Sequence, residues 1–188
     1  MEILHWPEAE VPPPIRRQVA ALADDTEPAG PENSPELRHD PALRPVSLVL
    51  LVEGRVLAGL AILSKSLDHR GERYAASGLS TVVTHPAVRR RGYGRRLIVA
   101  AREAMCAAGA DLALFTCDTP LSPFYESGGY MVLPGTVLVG GVPDEPLPSD
   151  RFNKVTLWYP FASRARANAA GFRGARVELY PGTIDRLW

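Results

Sequence analysis

Between residues 74 and 117 the apolar period of this chain changes twice, and that change limits the fold more than any other feature. Tyr74 to Thr84 (YAASGLSTVVT), closed by His85-Pro86, reads as a strand. From Tyr93 to Ala108 the apolar positions Leu97, Ile98, Ala101, Ala104, Met105 and Ala108 recur at helical spacing. Arg95, Arg96, Arg102 and Glu103 fill the opposite face, and Gly109 stands where a left-handed residue ends such a helix. Asp111 to Cys117 (DLALFTC) is a strand again. Strand, loop, helix and strand over this length make a βαβ unit, so the two strands run parallel.

What precedes that unit is antiparallel in character. Val46 to Val52 and Arg55 to Ser64 are two apolar runs around Glu53-Gly54, the signature of a hairpin. Asp68 to Glu72 is the turn into the strand at Tyr74. Met1 to Trp6 reads as a short strand and Ile15 to Leu22 as a short helix, followed by an acidic surface loop from Asp24 to Asn33. After the unit come a short helix at Pro120 to Ser127, a strand at Tyr130 to Val139 and a Pro-rich loop at Gly140 to Asp150. Further strands are expected at Lys154 to Tyr159 and Arg176 to Tyr180. The expectation is a single α/β (α+β) domain over 1–188 with a mixed, mostly antiparallel, twisted sheet flanked by helices.

Composition removes several classes of function. The 188 residues carry 21 basic and 21 acidic side chains, so the net charge is zero and no globally basic nucleic-acid surface exists. The longest apolar run, Val46 to Val52, is too short to span a bilayer, and no membrane role is expected. Met1-Glu2-Ile3 does not begin a basic-then-apolar leader, so a cytoplasmic location is expected. Cys106 and Cys117 make neither a disulfide scaffold nor a zinc spacing; both read as packing residues, and no metal is expected.

Chemistry concentrates at Arg89-Arg90-Arg91-Gly92-Tyr93-Gly94, between the strand and the amphipathic helix. Glycines there allow a tight turn and close backbone approach, and the loop amides and helix N-terminus converge on one spot. That is an anion site, and arginine grips phosphate oxygens bidentately. A dinucleotide fingerprint would need a third glycine, and a P-loop would need Gly-Lys-Ser/Thr. Taken alone, the Gly-x-Gly reads rather as a basic turn that caps a helix.

Context adds a second motif. Val82 to Leu97, with Arg89, Gly92 and Gly94, resembles the acyl-CoA loop of the GNAT superfamily of N-acetyltransferases. At the matching distance, Ser122-Pro123-Phe124-Tyr125-Glu126-Ser127-Gly128-Gly129-Tyr130 resembles that family's Phe-Tyr-Glu-x-x-Gly-Phe/Tyr segment. The resemblance implies a GNAT-like domain with an N-terminal strand, helix and acceptor-side loop at 1–45. The acyl-CoA core would span 74–130 and C-terminal strands 131–188, with the central parallel pair splayed. It implies acetyl-CoA (coenzyme A) as co-substrate and a small-molecule amine as acceptor. Pantetheine would pair with the backbone of Val82, Val83 and Thr84, and Arg89, Arg90, Arg91, Gly92, Tyr93, Gly94 and Arg95 would hold the pyrophosphate. Tyr125 matches the family's usual acid.

The base is open. Many family members carry Glu near the position of Ser80, and serine is a poor base. His85, Asp118, Asp185 and Glu72 are the candidates; Asp118 before Thr119-Pro120 also reads as a helix cap. A narrower similarity to the aminoglycoside 2′-N-acetyltransferases lies in Leu67 to Tyr74 and in the acidic residue near a terminal Trp, Asp185 to Trp188. Asp24, Asp25, Glu27 and Glu32 in one loop, and Asp144, Glu145 and Asp150 in another, would favour a cationic amine if they rimmed the acceptor cleft. By analogy, a homodimer through C-terminal strands is conceivable. The rival readings are an acyltransferase using a longer chain and a non-catalytic acyl-CoA-binding or partner-binding module.

Overall fold

The computed structural model describes residues 1–24 and 38–188. The expected acidic loop therefore lies outside the described residues from Asp25 on, as does the side chain of Asp24. The strands are β1 (Glu2–Pro7), β2 (Val46–Val52), β3 (Arg55–His69), β4 (Glu72–Thr84), β5 (Leu112–Asp118), β6 (Met131–Val132), β7 (Val137–Val142), β8 (Glu145–Pro148), β9 (Lys154–Pro160) and β10 (Arg176–Glu178). The helices are α1 (Pro13–Asp24), α2 (Tyr93–Ala107), α3 (Ser122–Glu126), α4 (Ser163–Ala167) and α5 (Ala169–Phe172). Seven strands form one sheet in the order β1-β2-β3-β4-β5-β9-β6, and β10-β7-β8 form a second, smaller one. In the large sheet every pair is antiparallel except β4 with β5.

The apolar run of β2 is continuous because the sheet is covered on both faces. Leu48 and Leu50 join Leu97, Ile98, Ala101 and Met105 of α2 in one cluster. Val49 and Leu51 point the other way, into a cluster with Leu22, Ala23, Ile15 and Val19 of α1. The alternation is the period of a strand serving two layers of helix.

β4 and β5 are fastened at one end. The Asp111 N–H donates to the Ala75 carbonyl (2.8 Å), and the Ala75 N–H donates to Asp111 Oδ2 (2.7 Å). The Asp111 carbonyl accepts from Phe161 and Ala162, and its carboxylate takes a two-pronged grip from Arg164. That guanidinium, helped by the Ala75 N–H and opposed by burial, holds the Asp111 carboxyl below its ordinary value. Ladder pairing then covers only Ala76↔Leu112 and Ser77↔Ala113. Beyond these positions the two strands part. β4 also carries a bulge: Gly59 pairs with Val83 and Ala61 with Ser80, so Thr81 and Val82 face the single residue Leu60. Thr81 takes the left-handed conformation this needs (φ 50°).

Several expectations are corrected. The strand expected over Tyr130 to Val139 is broken at Pro134-Gly135 into β6 and β7, with Gly135 left-handed. The expected loop over Gly140 to Asp150 is a hairpin; Pro146 and Pro148 lie in β8, an edge strand, where a missing N–H is tolerated. The hairpin strands β3 and β4 extend to His69 and from Glu72, leaving only Arg70-Gly71 as the turn. Helices α4 and α5 have no apolar stripe to find; each buries one side chain, Ala165 and Phe172 respectively. No helix among the described residues is long and apolar enough to cross a membrane.

Removing the pin should loosen the parallel pair. Asp111→Ala is expected to lower stability by about 1–2 kcal/mol, because the part-buried Ala75 N–H and the Arg164 guanidinium lose a charged acceptor. The folded carboxyl titrates below its ordinary value of 3.8. Its contribution is therefore complete above that value and fades as pH falls through the lowered folded value. Urea unfolding at pH 7 and near pH 3 should show the gap between wild type and variant narrowing in acid.

Candidate active site

The parting strands form a wedge. Ser80, Thr81, Val82 and Val83 line it from β4, and Thr116, Cys117 and Asp118 from β5. Tyr125 and Leu121 close one side, and the chain's last residues, Leu187 and Trp188, enter it. The tail is guided there by contacts with the body of the fold. Lys65 Nζ donates to the carbonyls of Leu179 and Tyr180 (2.7 Å each), and the Gly141 N–H donates to the Arg186 carbonyl (2.8 Å). Trp188 fills the apex of the wedge. Its indole N–H donates to the Leu114 carbonyl (3.0 Å), and its own carbonyl accepts from the Thr116 N–H (3.1 Å). A Cβ on Gly78 would stand 2.8 Å from the indole nitrogen, so only glycine admits the ring here.

The arginine-glycine loop lies at the open end of β4. The chain leaves Thr84 through a one-turn 3₁₀ helix, Pro86–Val88, and reaches α2 at Gly92. Gly92 is left-handed (φ 81°), and nothing lies within 4 Å of where its Cβ would be. Arg90 is left-handed too (φ 64°), and the Arg89 Nε donates to the Thr84 carbonyl (3.2 Å). The Arg96 N–H donates to the Gly92 carbonyl, so the amides before it are left at the helix N-terminus. Gly94 is buried: a Cβ there would be 3.0 Å from Thr84 Oγ1 and 3.2 Å from the Phe124 ring. The missing side chain lets α2 start against both motifs at once. Arg95 Nε donates to the Ser127 carbonyl (2.9 Å), tying the loop to the second motif.

Tyr125 is buried in the wedge wall. Its ring meets Phe115 edge-on with centroids 5.3 Å apart, and Phe124 at 4.9 Å. Asp118 lies in the wedge at the cap position of a 3₁₀ turn, but its side chain caps nothing; it pairs with Lys154 Nζ at 2.8 Å. His85 is the cap of Pro86–Val88, where its Nδ1 accepts from the Ala87 N–H (3.2 Å), and it does not line the wedge. Glu72 opens β4, at the far end from Thr84. Asp185 is buried, and its Oδ1 is 2.6 Å from His39 Nδ1. Of the expected acidic rim, Glu145 pairs with Arg186 and Asp150 with Arg176; none of Asp144, Glu145 and Asp150 lines the wedge.

Two groups at or near the wedge had no clear sequence signal. Lys154, which lines it, begins an ordinary strand, and His39, which lies behind it, stands in an aperiodic stretch before β2. Each is brought there only by the fold. Cys106 is exposed on α2 rather than packed, because it falls just outside the apolar stripe. Cys117 is buried, and that burial, with the Asp118 carboxylate nearby, pushes its thiol up to about 11. It remains a thiol at neutral pH and is no nucleophile. Iodoacetamide at pH 7.5 should therefore add one group per chain, on Cys106, as read by peptide mass spectrometry. Among the described residues no group of three His, Cys, Asp or Glu could hold a metal.

Comparisons with known proteins agree with the fold that carries this site. The family model described as an acetyltransferase (GNAT) domain matches residues 8–133. Among solved structures the chain is similar to Escherichia coli ElaA, with TM-score 0.59, 15% identity and coverage of 84% of this chain and 97% of that one. It is similar to an acyl-CoA N-acyltransferase from Pseudomonas aeruginosa, with TM-score 0.57, 18% identity and coverage of 84% and 97%. It is also similar to an aminoglycoside 6′-N-acetyltransferase complexed with coenzyme A, with TM-score 0.59, 14% identity and coverage of 87% and 99%. At these identities the likeness shows the fold. A search of curated proteins gave no match. The family match spans well over half of the chain and includes the loop, α2, the wedge strands and Tyr125, so this chain belongs to the GNAT acetyltransferases, which use acetyl-CoA.

Proposed function

We propose that the chain moves the acetyl group of acetyl-CoA to a primary amine of a small molecule, by direct attack in a ternary complex. The observation that carries this reading is the wedge, with the Gly92 loop at its open end and Tyr125 in its wall. Acetyl-CoA supplies an activated thioester. Everything else falls to this chain's own groups.

The residues present suit that co-substrate. The α2 N-terminus and the amides from Arg90 to Arg95 offer donors and positive charge for a pyrophosphate, over open space at Gly92. The parted edges of β4 and β5 leave room for an extended arm to pair as an added strand. The backbone of Val82, Val83 and Thr84 runs out of the bulge, so the edge it presents is turned relative to a regular strand. An N–H there polarises the thioester carbonyl and stabilises the tetrahedral oxyanion. Tyr125 donates a proton to the leaving sulfur, and its burial against Phe115 and Phe124 fixes the ring for that task. Holding both reactants in the wedge supplies much of the acceleration.

For the acceptor, a small cationic amine is the class this reading takes, with aminoglycosides and polyamines as members to try. Asp118 is not a free base, since Lys154 neutralises it. His85 caps a turn outside the wedge.

Free-thiol release from acetyl-CoA, measured against aminoglycosides, polyamines, amino acids and peptides, tests the proposal. Turnover with one amine class is expected. Tyr125→Phe should lower kcat roughly 10²-fold with coenzyme binding unchanged. Gly92→Val places a β-branched residue in a left-handed turn, and calorimetry should show the acetyl-CoA Kd rising about tenfold, some 1.4 kcal/mol. Tight acetyl-CoA binding without turnover on any amine would identify a binding module instead.

A further inference from the structure

Behind the wedge lies a polar cluster that no part of the coenzyme site uses. His39 and Asp185 come from segments 146 residues apart, yet the Nδ1 of one is 2.6 Å from Oδ1 of the other. Both are nearly sealed from solvent, with 4% and 6% side-chain exposure. The pair is held on every side: Asp185 Oδ2 accepts from the Asp40 N–H (2.8 Å), and the His39 N–H donates to the buried Glu8 carboxylate (3.2 Å). The second ring nitrogen is aimed the other way. His39 Nε2 lies 3.4 Å from Thr81 Oγ1, and Thr81 Oγ1 lies 3.4 Å from Ser80 Oγ. Thr81 and Ser80 both line the wedge. Thr81 is also the left-handed residue of the β4 bulge, a strained conformation for a β-branched side chain.

An Asp-bound imidazole with its other nitrogen on a hydroxyl is an arrangement that moves protons. Burial of a carboxylate and an imidazole in contact, rather than two apolar side chains, is otherwise costly. We propose that His39, oriented by Asp185, takes the proton of the incoming amine through the Thr81 hydroxyl. The proposal rests on the acetyl-transfer reading above and supplies the base that Ser80 cannot. Thr81 is the group that touches the amine; His39 and Asp185 are positioning residues behind it.

The step balances as follows. The ammonium gives one proton to Thr81 Oγ1 as the Thr81 hydroxyl proton passes to His39 Nε2, and Asp185 stabilises the imidazolium. The freed nitrogen pair forms the C–N bond at the acetyl carbonyl. The C–S bond breaks with its electrons on sulfur, and Tyr125 protonates that sulfur. The surplus proton on the new amide nitrogen returns to Tyr125 through solvent, and His39 releases its own to solvent. The carboxylates bonded into the cluster, among the described residues, are those of Glu8 and Asp185; Asp40 joins it through its backbone N–H, while its own carboxylate accepts from the Ala42 N–H. Arg38 adjoins His39 in sequence, and Arg186, next to Asp185, is turned to Glu145.

Two measurements test it. In ¹⁵N-histidine-labelled full chain, NMR should find His39 protonated on Nδ1 and bare on Nε2 when neutral; the opposite tautomer would overturn the relay. In kinetics, the probe is whichever amine the thiol-release panel shows to be acetylated. His39→Gln and the isosteric Thr81→Val should lower kcat roughly 10²-fold at pH 7 with KM and acetyl-CoA Kd unchanged. The defect should shrink as pH approaches the amine's own pKa, about 10, where the acceptor arrives neutral. Asp185→Asn should give the same convergence, and Thr81→Ser should recover much of the rate that Thr81→Val loses. A defect equal at every pH, or none, in an active protein would overturn the relay alone. An inactive wild-type chain would overturn the transfer reading and the relay with it.

Discussion

The structure depends on one pair of parallel strands that is joined at one end and parted at the other. The joined end is Asp111 with Ala75, reinforced by Arg164. The parted end is kept open by different means on its two sides: a bulge at Thr81 and Val82 turns β4, and antiparallel pairing with β9 holds β5. Hydrogen bonds lost between β4 and β5 are partly made good by Trp188, which accepts from one β5 amide and donates to one β5 carbonyl. A wedge in the middle of a sheet exposes backbone donors and acceptors in a place shielded by two layers of helix. That is a site where an extended ligand can pair.

The helix that follows β4 brings the second requirement to the same end of the sheet. Because Gly92 turns the chain and Gly94 lets the helix press on Thr84 and Phe124, the α2 N-terminus is fixed relative to β4 and to the Tyr125 segment together. The arginines around the turn are mostly exposed, as suits groups that meet a highly charged ligand in solvent.

The local elements were legible where pattern and packing agree. β2 and α2 match their expected limits to within a residue, because each has a strong apolar period over several turns or pleats. The region after Tyr130 was misread where short elements carry little period. A two-residue strand was merged with the one after it, and an edge strand with two prolines and a pair of one-turn helices look like loop in sequence. Within the site, the Arg89 to Gly94 loop and Tyr125 could be named because each belongs to a contiguous motif. His39 could not be. Its partner lies 146 residues away and its target, Thr81, 42 residues away.

The sequence by itself determined the βαβ unit, the glycine turn at its helix, the family and the use of acetyl-CoA. The first two reside in stretches short enough for periodicity and spacing to express them; the family and its co-substrate follow from the resemblance that two contiguous motifs carry. Only the tertiary structure decided which polar groups surround the wedge. It paired Asp118 with Lys154 and gave His85 a cap to form. It also sealed Asp185 against His39 and carried Trp188 to the apex. Those outcomes depend on where distant segments cross, on which buried donors need acceptors and on how much space a Gly78 leaves. None of the three is written in any local run of residues.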